Sequence, residues 1–257
     1  MAGLVFITGA SSGIGQALAA AYARQGWRLA LVARRAEEMQ AWARTQGLGD
    51  DRCAVYGADV ADTDAIVAAG HACIARQGLP DVVIANAGIS VGVDTAFRED
   101  LALLARTYAI NNIGLAATFH PFVTAMVRRG SGRLVGIASV AAIRGLPGHA
   151  AYCASKAAVV AYCESLRGEL KPLGIQVVTL APGYIQTPLT AKNKFPMPFL
   201  MTAEAFAHQA FKTISRGTSF RVIPFPMAWV ARVLRILPDA LFDRAFKNQP
   251  RKHRAHE

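Results

Sequence analysis

Residues 4–15 read LVFITGASSGIG, and this stretch decides the fold. Its first five residues are apolar or β-branched and predict a buried strand, while the alanine-rich segment after Gly15 predicts a helix. Between them stand Gly9, Gly13 and Gly15, where the chain leaves the strand and must turn sharply to enter the helix. The stretch therefore predicts the first strand–turn–helix unit of an α/β protein.

The same alternation of short apolar runs and amphipathic segments continues along the chain. It predicts parallel strands joined by helices, and the almost wholly apolar fourth to sixth strands are typical of strands covered on both faces. We expect an α/β fold with a doubly wound, seven-stranded parallel sheet and helices on both faces. Strands are predicted at residues 4–8, 29–33, 54–58, 82–85, 133–138, 176–180 and 221–223, and helices at 15–25, 63–76, 101–129 and 151–173.

The chain has 257 residues, of which 53% are hydrophobic, enough for one large core. Its net charge of +11 is uneven, because residues 212–257 hold 10 basic and 3 acidic side chains. We expect one domain with a C-terminal extension: a catalytic and dinucleotide-binding core at 1–190, a substrate loop, helices and the last strand at 191–225, and a basic amphipathic extension at 226–257.

The four cysteines form no CxxC pair, so we expect reduced thiols in a cytosol-like compartment. No secretory signal is visible, and no uncharged apolar run approaches the roughly 18 residues that span a bilayer. The histidines show no spacing typical of metal ligands. We therefore expect a cytoplasmic protein without a metal site.

Glycines between a first strand and a first helix suit a phosphate group, because the backbone can approach it and the helix start offers free N–H groups. We predict that this turn binds the pyrophosphate of a dinucleotide. Beyond the next two strands, Asp59 and Val60 are placed to meet an adenine, and residues 86–88 form another close turn. The predicted contacts of these turns are Gly9, Ser11, Ser12, Gly13, Ile14, Gly15, Asp59, Val60, Asn86, Ala87 and Gly88.

The end of the second strand indicates which dinucleotide binds. An acidic residue there would bind the ribose hydroxyls, but the sequence has Arg34 and Arg35. A guanidinium forms a charge-assisted pair with a 2′-phosphate, so NADP(H) is favoured over NAD(H), with Arg34 as the main contact and Arg35 and Ser12 as lesser ones. The alternative interpretation is that both arginines begin a solvated helix.

Tyr152 and Lys156 are four residues apart and lie on one face of the predicted helix. A phenol ionises near pH 10, and a nearby ammonium stabilises its anion, so the pair suits general acid–base work. Ser139 ends the fifth predicted strand, at the edge of the sheet where ligands bind. We expect its hydroxyl to hydrogen-bond a substrate oxygen.

These motifs together resemble the short-chain dehydrogenase/reductase family, with the match running from about residue 3 to 190. The residues that carry the resemblance are the turn from Thr8 to Gly15, the Asn86-Ala87-Gly88 turn, Ser139 and the Tyr152/Lys156 pair. The resemblance implies a Rossmann-type fold and a catalytic set of Asn111, Ser139, Tyr152 and Lys156. Gly114 sets the register that selects Asn111 rather than Asn112. It also implies cofactor contacts from Tyr152, Lys156, Pro182, Gly183, Ile185 and Thr187.

The resemblance further implies hydride transfer between NADP(H) and a carbonyl or secondary alcohol. Tyr152 would exchange the proton, Ser139 would hold the substrate oxygen, and Lys156 would bind the nicotinamide ribose and lower the pKa of Tyr152. Asn111 would hold a water that completes the proton relay. Homodimers or homotetramers are frequent in the family and are expected here.

Two segments bear on the substrate and on partners. Phe195, Met197, Phe199 and Leu200 predict an apolar lid for a lipid-like, steroid-like or acyl-like substrate, with ordinary loop packing as the alternative. From Pro226, two short amphipathic helices precede a basic cluster. They either pack on their own domain or a dimer partner, which we favour, or attach peripherally to an anionic membrane.

Two other classes of function remain open. A cofactor-sensing or scaffold protein on the same fold would not be expected to keep all four catalytic residues. A nucleic-acid binder is less favoured, because the basic residues lack a recognition motif and cluster in the tail. We therefore expect no nucleic-acid partner and a small-molecule substrate.

Overall fold

The computed structural model describes residues 3–191, 193, 196–247 and 254. Its central sheet has seven parallel strands in the order β3-β2-β1-β4-β5-β6-β9. These strands are β1 (Leu4–Thr8), β2 (Arg28–Ala33), β3 (Cys53–Gly57), β4 (Val82–Ala85), β5 (Gly132–Ile137), β6 (Ile175–Pro182) and β9 (Phe220–Ile223). A separate pair joins β7 (Ile185–Gln186) to β8 (Met201–Thr202). The predicted doubly wound, seven-stranded parallel sheet is confirmed.

Helices cover both faces of the sheet. They are α1 (Gly13–Arg24), α2 (Ala36–Thr45), α3 (Thr63–Gln77), α4 (Asp100–Tyr108), α5 (Gly114–Arg129), α6 (Ala150–Leu170), α7 (Ala203–Ser215), α8 (Pro226–Ile236) and α9 (Asp239–Phe246). Side chains alternate between the two layers, so on β1 Val5 and Ile7 face one core and Leu4 and Phe6 face the other.

Two predicted helices differ from the structure. The predicted helix at 101–129 is interrupted by a π-helical turn at Ala109–Ile113, between α4 and α5. The predicted helix at 151–173 ends at Leu170 and continues as a 3₁₀ turn at Lys171–Leu173, because Pro172 cannot donate to the α-helical ladder. Strand bounds differ from the predicted ones by at most two residues.

Strand order reverses between β1 and β4, which places a crevice at the carboxyl ends of these strands. The loops after β1, β4 and β5 meet there. At the far side, α8 packs through Met227 and Ala231 beside β6 and β9. None of the described helices is long and apolar enough to cross a membrane.

Candidate active site

The glycine turn after β1 fits closely against its neighbours. Gly9 has a φ of 65°, and a Cβ there would lie 2.8 Å from the Cα of Ala87. Gly13 has a φ of 54° and faces Thr187. Both positions need glycine, because the backbone is left-handed and the adjacent loops leave little room.

The start of α1 has no protein group as its cap. Ser12 occupies the N-cap position, yet its side chain makes no capping bond, and no acidic residue lies in the first turn. By contrast, Asp62 caps α3 through the amide of Ala65 at 3.0 Å. The free amides and positive dipole end of α1 therefore remain available to an anionic group such as a phosphate.

Asn86 ties the turn after β4 to the turn after β1. Its side-chain nitrogen donates to the carbonyls of Thr8 at 3.0 Å and Gly9 at 3.2 Å. Gly15 is needed at the same point, since a Cβ there would lie 2.2 Å from the oxygen of Gly9. Asn86 and Gly15 thus hold the glycine turn in its conformation.

These turns border an elongated cavity of about 560 Å³. Most of the predicted cofactor contacts line it: Gly9, Ser11, Ser12, Gly13, Ile14, Arg34, Asp59, Val60, Asn86, Ala87, Gly88, Tyr152, Lys156, Pro182, Gly183, Ile185 and Thr187. Gly15 and Arg35 are not among the lining residues. The cavity passes from the glycine turn to Tyr152, as an extended dinucleotide would require.

The two arginines after β2 have different surroundings. Arg34 lines the cavity, and its Nη1 lies 3.9 Å from the carboxylate of Asp59. Arg35 is the N-cap residue of α2 and pairs with Glu38 at 2.9 Å, away from the lining. The structure therefore separates the two predicted phosphate contacts and leaves Arg34 at the cavity.

Ser139 and Tyr152 meet at the inner end of the cavity. Ser139 follows β5, and its hydroxyl accepts a hydrogen bond from the amide of Ala141 at 3.2 Å. Burial raises the pKa of the Tyr152 phenol above its ordinary value, and a hydrogen bond with Ser139 opposes that rise. The phenol is therefore protonated at neutral pH in this site.

Lys156 is 5% exposed, and its ammonium donates to the carbonyl of Ile137 at 2.8 Å. Burial lowers the pKa of Lys156 to about 8. Its Nζ lies 5.9 Å from the centre of the Tyr152 ring. In this geometry Ser139 is the hydrogen-bonding group that favours the phenolate, whereas the sequence pattern assigned that effect to Lys156.

Asn111 lies behind this group, in the π-helical turn, and is 1% exposed. Its side chain bonds both the amide and the carbonyl of Ile89, at 2.9 and 3.0 Å, and the hydroxyl of Ser155 at 2.9 Å. A Cβ on Gly88 would lie 3.2 Å from its Oδ1 and 3.3 Å from the Nζ of Lys156. Asn111 therefore lies close to Lys156 without lining the cavity.

A second cavity of about 380 Å³ opens on the other side of Ser139 and Tyr152. Its lining is largely apolar and comes from the loop after β5, the segment after β6, and the helices α8 and α9. His149 also lines it, with a ring nitrogen 3.1 Å from the carbonyl of Pro147. Ser139 and Tyr152 line both cavities.

Three of the four residues predicted to form an apolar lid, Met197, Phe199 and Leu200, do not line the second cavity, although Pro196 and Pro198 of the same loop do. Phe199 and Leu200 are 51% and 46% exposed. Phe195 lies outside the described residues. The C-terminal extension contributes part of the apolar lining, through Met227, Val230, Ala231, Leu234 and Phe246, and the loop contributes Leu189, Pro196 and Pro198.

Sequence reasoning also missed lining residues of the first cavity. Arg106 on α4 and Ile110 in the π-helical turn are among them, as are Ile89 and Thr190. No motif contains Arg106 or Ile110, which reach the cavity through the packing of α4 and the π-helical turn beside the strand ends, whereas Ile89 directly follows the Asn86-Ala87-Gly88 turn and Thr190 lies in the loop after β7. Among the described residues, no group of three or more His, Cys, Asp or Glu side chains is placed to hold a metal.

A model of the family described as short chain dehydrogenase matches residues 3–196. An uncharacterized oxidoreductase of Myxococcus xanthus is 38% identical over 239 residues, which cover 93% of this chain and 94% of that protein. A short-chain dehydrogenase from Sphingobium yanoikuyae, solved in complex with NADPH, is 25% identical with a TM-score of 0.76, covering 96% of each chain.

A 3-ketoacyl-(acyl-carrier-protein) reductase from Brucella melitensis, solved with NADH, is 26% identical with a TM-score of 0.76. That match covers 86% of this chain and 96% of the reductase. The family match over three quarters of the sequence agrees with the sheet order and the site geometry. The chain belongs to the short-chain dehydrogenase family and is an oxidoreductase of that family.

Proposed function

We propose that this oxidoreductase uses NADP(H) to interconvert an apolar carbonyl compound and its secondary alcohol. One observation carries the proposal: Ser139 and Tyr152 line both cavities. The proton donor and its hydrogen-bonding partner thus stand where an elongated cofactor chamber meets an apolar substrate chamber. A carbonyl oxygen between the chambers would meet both hydroxyl groups.

The residues of the chain would act as follows. When bound, the nicotinamide supplies or accepts the hydride. Ser139 holds the substrate oxygen through its hydroxyl, and Tyr152 donates a proton to that oxygen in reduction or takes it back in oxidation. The raised pKa of Tyr152 keeps its proton in place at neutral pH, which is the state that carbonyl reduction requires.

Lys156 and Asn111 would support this exchange. The ammonium of Lys156 lines the first cavity beside Tyr152 and offers donors to a ribose hydroxyl. Asn111 fixes the loop after β4 and α6 relative to each other through its three bonds. It thereby helps to hold Lys156 and Gly88 at the distances that leave room for a ligand.

The residues present fit a phosphorylated dinucleotide. The uncapped start of α1 and the glycine turn suit a pyrophosphate, and Arg34 at the end of β2 suits a 2′-phosphate. Its guanidinium is held only loosely by Asp59 at 3.9 Å, so it remains available to a stronger anionic partner. This arrangement supports NADP(H) over NAD(H).

The second cavity supports an apolar substrate. Five residues of the C-terminal extension contribute to its aliphatic and aromatic lining, and Arg144, which also lines the cavity, is paired with Asp239. A substrate with an apolar body would bury its surface there while its carbonyl reaches Ser139. A lipid-like, steroid-like or acyl-like compound has this form.

We also propose a cytoplasmic homodimer or homotetramer, with peripheral membrane contact through residues 226–257. One face of α8 packs on its own domain, and the other face exposes Phe225, Trp229, Val233 and Ile236. These side chains lie about one turn apart, with Arg232 and Arg235 beside them. The basic cluster at 251–253 lies outside the described residues.

The direct test of the enzymatic proposal follows NADPH absorbance with a panel of ketones, with NADH as the comparison. We expect oxidation of NADPH with apolar ketones in the wild type and loss of turnover by at least about a thousandfold in Tyr152→Phe, since the proton donor is gone. The NADPH dissociation constant, measured by fluorescence, should stay nearly unchanged. Full turnover in Tyr152→Phe would overturn the assignment of the proton donor.

A further inference from the structure

Helices α8 and α9 are far along the sequence from the family's catalytic motifs. In the fold, however, they lie beside Ser139 and Tyr152. Met227, Val230, Ala231 and Leu234 of α8 and Phe246 of α9 line the same cavity as Ser139 and Tyr152. One side of the proposed substrate chamber is therefore formed by α8 and α9. Its position must be fixed by contacts with the catalytic core.

Arg144 makes these contacts. It lies five residues after Ser139, in the loop that leads to α6, and its side chain is 13% exposed. Its Nη1 donates to the carbonyls of Leu234 and Leu237, at the end of α8. Its Nη2 donates to the carboxylate of Asp239 at 2.6 Å, at the start of α9. One guanidinium thus joins the end of one helix to the start of the next.

Arg144 itself lines the second cavity, and its guanidinium is also linked to another lining residue through aromatic contacts. Its central carbon lies 4.0 Å from the ring centre of Phe242, and the Phe242 ring is stacked on Phe246 with centres 4.5 Å apart. Phe246 lines the cavity. Movement of Arg144 would therefore displace an aromatic residue that borders the substrate.

The extension is attached a second time, at Arg254. Its guanidinium bonds the carboxylate of Asp100 at 2.8 Å and lies 3.6 Å over the ring of Phe97. Its backbone pairs with Gly92 in the loop after β4. This second attachment limits the motion of the extension as a whole, whereas Arg144 fixes the two helices that line the cavity.

We propose that Arg144 is the positioning residue that sets the size of substrate accepted, by holding α8 and α9 against the loop that carries Ser139. This inference rests on the proposed function. The donors of Arg144 go to backbone carbonyls and to Asp239, so its charge is compensated within the protein. The substrate is an uncharged, elongated ketone or secondary alcohol whose distal part packs on the α8–α9 wall.

Arg144→Met tests the proposal, because methionine keeps an unbranched apolar stem and removes every donor. Arg232→Met is the matched control: it makes the same change on α8, but Arg232 is exposed and lies over Trp229 instead of the cavity. Steady-state kinetics compare two ketones. The short 2-butanone makes little contact with the α8–α9 wall, whereas the long chain of 2-undecanone packs against much of it. Circular dichroism first establishes that each variant is folded.

We expect Arg144→Met to raise the KM for 2-undecanone about tenfold more than the KM for 2-butanone, the factor for losing contact with about one buried apolar side chain. Arg232→Met should leave this ratio unchanged. Asp239→Asn keeps the shape of the side chain and weakens the ion pair with Arg144. It should raise the KM for 2-undecanone relative to that for 2-butanone by a smaller factor. Equal losses with both ketones, or an unchanged ratio in Arg144→Met, would overturn the proposal.

A binding measurement separates this inference from the proposed function. Nile red, an uncharged apolar dye, is titrated into each variant and displaced with 2-undecanone. A dissociation constant for 2-undecanone that rises about tenfold in Arg144→Met but not in Arg232→Met supports the positioning role even if the wild type reduces no ketone. Equal 2-undecanone affinity in the wild type and Arg144→Met contradicts that role, whatever the activity. Should Arg144→Met fail to fold, Asp239→Asn serves in both measurements.

Discussion

At the scale of single residues, burial of the Lys156 ammonium lowers the free energy of unfolding. The fold buries its ammonium and gives it one carbonyl partner, Ile137, so burial lowers its pKa from 10.5 to about 8. The folded state therefore binds this proton less tightly than the unfolded state. A charged Lys156 therefore destabilises the fold at neutral pH.

Lys156→Met should accordingly stabilise the protein while it abolishes activity. The depressed pKa implies a penalty of about 3 kcal/mol below pH 8, from which we subtract about 1 kcal/mol for the unpaired Ile137 carbonyl. We expect a gain of about 2 kcal/mol at pH 7 that falls to about zero near pH 10, as the unfolded lysine also loses its proton. Urea denaturation of the wild type and Lys156→Met at pH 7 and pH 10 measures this difference in the free energy of unfolding.

Lys171→Met is the control for that experiment, since Lys171 is exposed and should give no pH-dependent gain. A gain in Lys156→Met of the same size at pH 7 and pH 10 would contradict the burial argument. It would mean that packing, and not the charge, accounts for the difference.

At the scale of elements, the junction of β2 and α2 decides how the two adjacent arginines differ. Arg35 begins the helix and pairs with Glu38 three residues on, within the same turn. Arg34 lies between the end of β2 at Ala33 and the start of α2, and it borders the cavity. The boundary between the two elements therefore places Arg35 on the helix surface and Arg34 at the cavity.

We expect Arg34→Ala to raise the dissociation constant of NADPH about tenfold and to leave that of NADH nearly unchanged. One solvent-exposed charge-assisted bond to the 2′-phosphate is lost, and about 1.4 kcal/mol corresponds to that factor. Arg35→Ala is the matched control and should change neither constant by more than about twofold. Fluorescence titration measures both; equal losses for NADPH in the two variants would contradict the assignment.

At the scale of the whole molecule, the C-terminal extension has two apolar faces. One packs on the domain and lines the substrate cavity, and the other exposes Trp229 and the 80% exposed Ile236 beside arginines. A protein in water seldom leaves such a stripe uncovered. This stripe lies next to the second cavity. A membrane that covered the stripe could also supply apolar substrates to that cavity.

Co-sedimentation with vesicles tests the membrane contact. We expect the full chain to pellet with phosphatidylserine-containing vesicles but not with phosphatidylcholine alone, and to be released at high salt. A Trp229→Ser/Ile236→Ser variant should bind at least about tenfold more weakly, since it loses two inserted side chains. Leu101→Ser, at an exposed apolar residue of α4, is the control. Equal binding by all variants would remove the membrane proposal, and a change of mass in light scattering would indicate an interface between copies.

Local sequence predicted the parts of this protein that depend on neighbours along the chain. The strand and helix order follows from periodicity, the glycine turn from the conformations that only glycine adopts easily, and the Tyr152/Lys156 pair from one helical turn. Those features are set within a few residues, so composition and spacing are enough to find them. Helix ends and the π-helical turn at Asn111 were not found, because the bonds that stabilise that turn reach Ile89 and Ser155.

The sequence by itself thus determined the α/β fold and the family, and it predicted the cofactor turn and the catalytic set. Only the tertiary structure decided which residues form the substrate wall, because Arg144 meets Leu234 and Asp239 across about ninety residues of chain. It also decided the pKa of Lys156 and the separation of Arg34 from Arg35, because burial and the direction of a side chain depend on everything packed around it. Short-range geometry is encoded in spacing, whereas desolvation and long-range contacts exist only once the chain is folded.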